Sequence, residues 1–156
     1  MIPTGVFRFD SRLPVSFLKK ISNWFTSAGV SVSHVRKQYE RHQQELHRNC
    51  IAIAAAAGSP RGLVWSHQQW LTSWILVEDT STGLITMLHG VNLSFEAVAG
   101  GEMEEVDAVS TIRDATAVFH YQDGRWGTGG RVLFNMSPES AIESIGDDFR
   151  ILASSN

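Results

Sequence analysis

Thr72-Ser73-Trp74-Ile75-Leu76-Val77-Glu78-Asp79-Thr80-Ser81-Thr82-Gly83-Leu84-Ile85-Thr86-Met87-Leu88 decides the fold of this 156-residue chain. Two runs rich in branched and aromatic residues flank a turn-forming Asp/Thr/Ser/Gly cluster, which is the pattern of a β-hairpin. The second run continues past Gly90, because Val91, Leu93, Phe95 and Ala97 alternate with Asn92, Ser94 and Glu96. Gly90 then marks a bulge or a close backbone approach. Ala99-Gly100-Gly101 ends this strand.

C-terminal to the hairpin, Ala115–Tyr121 reads as another strand. Asp123-Gly124 is the dipeptide favoured in two-residue hairpin turns, and the return strand runs through Trp126 to Arg131–Met136. Ser137-Pro138-Glu139 opens a short helix with a capping hydroxyl, a first-turn proline and an acid at the positive end of the dipole. Phe149–Leu152 fits an edge strand before a polar terminus.

N-terminal to the hairpin the periodicity changes. Pro14 begins a helical pattern of Phe17, Leu18, Ile21, Trp24, Phe25 and Ala28, with Gly29 as its stop. Ser33 caps a second helix to about Asn49, with a thin apolar stripe of Val35, Tyr39, His42 and Leu46. The run from Cys50 to Ala57 fits a helix continuation or a buried strand, and its Ile51/Ile53 start favours the strand. Leu63-Val64-Trp65 reads as a short strand. The expected architecture is α+β: two N-terminal helices, an antiparallel β-meander of about five or six strands and a short C-terminal helix. A single domain over residues 1–156 is expected, helical over 1–49, mainly β over 50–136, and ending in the helix and tail of 137–156.

Composition bounds the setting. Hydrophobic residues at 43% and charged residues at 19% exclude wholesale disorder. Cys50 is the only cysteine, so no intrachain disulfide forms, and a cytoplasmic location is expected. No signal segment is readable at the N-terminus. The longest apolar run, Cys50 to Ala57, falls far short of the roughly 20 residues that span a bilayer, so no membrane association is expected.

Charge is laid out unevenly. Residues 1–62 hold nine Lys/Arg and three acids, a net of +6, whereas residues 63–156 hold four bases and 13 acids, a net of −9. One half recruits an anionic partner, or the halves neutralise each other within or between subunits. Arg36, Lys37 and Arg41 on the second helix are the candidate contacts for nucleic acid or another partner. Glu40 and Glu45 reduce that helix's net charge to +2, and no third helix completes a helix-turn-helix, so nucleic acid is disfavoured.

No group of residues has the spacing of a cofactor or metal site, so none is expected. His42 and His47 lie about 140° apart around a helix, and His34 sits two turns away, so all three read as exposed. His47 and Cys50 are three apart, but Cys50 opens an apolar run and reads as a core residue rather than an activated thiol. Gly124–Arg131 lacks the strand–loop–helix setting of a phosphate loop, and Glu102–Asp107 lacks the ladder of a calcium loop. Trp65, His67 and Trp70 belong to a segment with three tryptophans in ten residues, which suits an interface and, less well, a stacking wall for a ligand. His89, His120 and Glu104 are the candidates for acid/base or metal chemistry if they converge on the half-polar sheet face.

The reading that results is a non-catalytic binding or interaction domain that self-associates, a homo-oligomer. The alternative is a small-molecule binder or enzyme with a cleft on the half-polar sheet face. Weak nucleic-acid binding through helix 34–48 comes third. Whether the chain is an enzyme stays open.

Overall fold

The structure, a computed structural model, describes residues 25–58, 62–101, 113–145 and 147–156. In chain order it contains α1 (Val32–Ala57), β1 (Leu63–Asp79), β2 (Ile85–Ala97), β3 (Arg113–Gln122), β4 (Arg125–Gly127), β5 (Val132–Phe134), α2 (Pro138–Ile145) and β6 (Phe149–Ser154). All strand pairs are antiparallel, in the order β4-β3-β2-β1-β6, with β5 also on β3. The α+β class is therefore as expected.

Alternation sets the layers. On β2 and β3 the odd-numbered residues Met87, His89, Val91, Leu93, Ala117 and Phe119 lie in the core beneath α1. Leu88 and Val118 point the other way and pack with Ala141 of α2. The sheet is thus sandwiched between a long helix and a short one.

Three elements differ from the sequence reading. Residues 14–24 of the expected first helix lie outside the described residues, and Phe25–Gly29 is a turn closed by a Phe25–Ser31 bridge. Local polar groups satisfy that backbone without a helix. Val30 N–H donates to Thr26 Oγ1 at 3.1 Å, and Ser27 N–H donates to the buried Glu78 carboxylate at 2.9 Å. Second, Cys50–Ala57 continues α1 and is not a strand. Alanine has the highest helix propensity, extending an existing helix needs no new nucleus, and Cys50 and Ala54 prolong the buried face begun by Leu46. Third, Leu63 to Asp79 is one strand of 17 residues. Its register shifts between Trp65 and His67 and between Trp70 and Trp74, which broke the alternation on which the sequence reading relied.

Other turns hold as read. Asp123 (φ 53°) and Gly124 (φ 77°) both take the left-handed conformation of a two-residue hairpin turn. Ser137 Oγ accepts from the Ser140 N–H at the start of α2. Gly90 faces the second β1 bulge, where an added Cβ would collide with the Ser73 hydroxyl.

Candidate functional site: a tyrosine–histidine chain under a cleft

Tyr39, His47 and His89 meet between α1 and the sheet. Tyr39 and His47 are eight residues apart, about 80° around the helix, so both tilt toward β2. Tyr39 Oη lies 2.9 Å from His89 Nδ1 and 3.1 Å from His47 Nε2. His89 Nε2 lies 2.8 Å from the Leu71 carbonyl oxygen. His47 also stacks on Trp70, with centroids 3.5 Å apart and planes 11° from parallel. Phe119 and Trp126 close around Tyr39 edge-on.

The hydrogen-bond directions follow from the ends of the chain. A carbonyl only accepts, so His89 Nε2 carries a proton and donates to Leu71. Burial holds the His89 imidazole below its ordinary pKa, so the ring is neutral and its Nδ1 is a bare acceptor. Tyr39 Oη–H therefore donates to His89 Nδ1. The phenol has no second hydrogen, so His47 Nε2–H must donate to Tyr39 Oη. The result is a single file of protons from His47 through Tyr39 and His89 to Leu71. Every ring in it is neutral: burial and then His89 bring His47 down to about 3, and burial and then Cys50 push Tyr39 far above the ordinary phenol range.

A cleft of about 280 Å³ opens onto this chain. Tyr39, His89 and Met87 are its floor; Leu71, Thr72 and Trp74 of the β1 bulge form one wall, with Arg36, Glu40 and Gln43 of α1 opposite. The Arg36 and Glu40 side chains are 3.4 Å apart, so the rim carries no net charge. It is Arg36 Nε, itself buried, that faces Glu40, at an ion-pair distance but without a formed hydrogen bond. The cleft thus offers donors, acceptors and a flat indole, but no unbalanced charge.

His89 and His120 are not brought together. They sit on opposite faces of the sheet, because their registers differ by one in parity: His89 lies opposite Ala117, and Thr86 opposite His120. His120 Nδ1 is instead 3.0 Å from Thr86 Oγ1, and burial and then Arg131 lower its pKa. Glu104 lies outside the described residues. Trp70 is part of the buried aromatic group, Trp65 packs between Phe95 and Phe134, and His67 is exposed. Lys37 and Arg41 are exposed, and Arg36 lines the cleft.

His47 is 7% exposed, not a surface residue as its spacing from His34 and His42 suggested. The missed signal was the length of α1. Once the helix runs through Ala57, Tyr39, Leu46, Cys50 and Ala54 form one buried face, and His47 falls beside it. Cys50 is fully buried, and burial raises its thiol against the opposing Thr128, so it is the core residue the sequence suggested. Among the described residues no three His, Cys, Asp or Glu side chains form a metal-holding group, and no helix is long and apolar enough to cross a membrane. Compared with known families, curated proteins and solved structures, the chain matches none.

Proposed function

We propose that the protein is a non-catalytic binding domain for a small, neutral, hydrogen-bonding molecule, seated in the cleft over Tyr39 and His89. The observation that supports this is the placement of two hydrogen-bonded polar rings, Tyr39 and His89, at the bottom of an opening, with His47 bonded behind them. Buried polar groups cost stability unless fully paired, and an apolar core would serve packing alone at least as well. At about 280 Å³ the cleft suits a compact ligand, near the lower end of the roughly 300–1,000 Å³ of small-molecule sites. Both nitrogens of His89 are engaged within the protein, which disfavours acid/base turnover. The neutral rim argues against an ionic ligand.

A screen of uncharged fragments read by protein NMR tests this. The hits are expected to shift resonances of Thr72, Trp74 and His89 and to lose affinity at least tenfold in Tyr39→Phe, with His120→Gln unaffected on the opposite face. Hits that bind Tyr39→Phe equally, or that leave these resonances unmoved, overturn it.

Self-association is a second reading, favoured by one edge. β6 covers β1 only from Ile75 to Asp79, with Ser155 bonded to Trp74. Among the described residues, Leu63–Trp70 has a strand neighbour on one side only, and Val64 there is 46% exposed. An open edge of this kind pairs readily with another strand. Light scattering that shows a monomer at high protein concentration, whatever the salt, removes this reading.

A further inference from the structure

On the other side of α1 lies a larger groove, about 480 Å³, between the helix and the edge strand β4. We infer that it is a binding site for a short extended peptide, held mainly by its backbone. The helix wall presents Gln38, His42, Glu45 and Asn49, spaced by four, three and four and therefore aligned on one face. From Gln38 to Asn49 is roughly 16 Å, the length of about five extended residues.

The opposite wall is a strand edge already prepared for pairing. The two-residue turn makes Gln122 and Arg125 the hydrogen-bonded pair, so the next pair, Tyr121 and Trp126, is the non-bonded one. The Trp126 N–H and C=O therefore point away from β3, toward the open edge. The edge is held rigid: Trp126 Nε1–H donates to the Val35 carbonyl at 2.9 Å, and its ring packs on Tyr39 and Tyr121. Preorganisation of this kind lowers the entropy lost on binding.

The helix side offers the complementary groups. The Gln38 amide nitrogen donates to Gly124 O at 2.9 Å, which fixes the flip of the amide. Its Oε1 is left buried with no donor, the position for a ligand N–H. His42 Nδ1–H donates to the Gln38 carbonyl, which leaves Nε2 facing outward, and Asn49 both donates and accepts. Charge does not dominate, since Glu45 and Arg125 oppose each other; a nucleic acid would meet one cation and one acid. Leu46, Ala52 and Ile53 make an apolar seat at one end, where Ile53 is 42% exposed. Arg125 lies at the other end. The preferred peptide is therefore capped and extended, with an apolar side chain at the Ile53 end and an acidic one at Arg125.

The test uses pools of N-acetylated, C-amidated pentapeptides with an apolar residue at one terminus and Glu at the other, titrated into the full chain and followed by amide NMR. The expected result is a shift of the Trp126 amide and the Gln38 side-chain amide, with slowed exchange of the Trp126 N–H. Asn49→Ala and Arg125→Ala, both at exposed positions, are expected to weaken binding about tenfold each. The same pools N-methylated at alternate residues should bind at least tenfold more weakly. No perturbation of Trp126 at millimolar peptide, equal binding of the N-methylated pools, or shifts confined to the cleft over His89 would overturn the inference.

Discussion

Tyr39 is the residue on which two histidines depend. Its hydroxyl is donor to one and acceptor from the other, so Tyr39→Phe leaves His47 Nε2–H and His89 Nδ1 unpaired in a buried site. A loss of about 2–3 kcal/mol is expected, measured by urea unfolding. The same chain sets the acid limit of the fold. His47 and His89 have folded pKa values below their unfolded value, so the unfolded state binds more protons at mildly acid pH. Their stabilisation is complete above about 6.5 and is lost as pH falls from there toward the folded value, about 3 for His47. Between pH 7 and 5 stability should drop by about 2 kcal/mol through His47, with His89 adding to the loss in the same direction, and His47→Gln should flatten the profile. A midpoint unchanged from pH 7 to 5 would show that the rings titrate freely. Below about pH 4.5 Glu78 adds to the loss. Burial raises its pKa, but its bonds to Ser27 and Arg150 hold it below the ordinary carboxylate range. None of this was legible in single residues: Tyr39 and Leu46 read correctly as the inner stripe, but His42 was placed on it where His47 belongs.

At the scale of elements, the β1 bulge makes the cleft. Between Trp70 and Trp74 three residues of β1 face the single residue Gly90 of β2, and the excess chain turns Leu71 O onto His89 and supplies a cleft wall. Gly90 is the residue that permits this. Gly90→Ala should destabilise by about 1–3 kcal/mol, and Ser73→Ala in the same chain should restore part of it by removing the colliding hydroxyl. If Gly90→Ala is neutral in denaturant titration, the close approach is not a constraint. The glycine was readable from sequence as a bulge or a close approach; the β1 bulge opposite it was not, since three residues standing opposite one interrupt the alternation by which a strand is recognised. Another tether joins the Phe25–Ser31 turn to the far end of β1. Glu78 is 2% exposed, accepts from Ser27 N–H and pairs with Arg150 at 2.7 Å. Arg150→Met should cost about 1–2 kcal/mol, less than for a fully buried pair because Arg150 stays 41% exposed, and should speed hydrogen exchange at the Ser27 amide.

Over the whole molecule, the sheet separates what the sequence had grouped. Spacing alone cannot say which face a strand residue takes when a bulge or an unseen partner shifts the register, and His89 and His120 ended on opposite sides. The hairpin, the Asp123-Gly124 turn, the α2 entry and the edge strand β6 were legible because each has strong local chemistry. The long-range groups were not, because they need pairing across fifty residues, as between Tyr39 and His89. Both ion pairs among the described residues, Arg36–Glu40 and Arg150–Glu78, lie within one half of the chain. The most direct test of the ligand cleft is a side-chain histidine nitrogen NMR spectrum recorded during titration with the tightest neutral fragment. His89 should stay protonated at Nε2 while its Nδ1 resonance moves with occupancy, and His120 should stay still. A saturating fragment that leaves both His89 nitrogens unmoved would contradict a site over Tyr39 and His89.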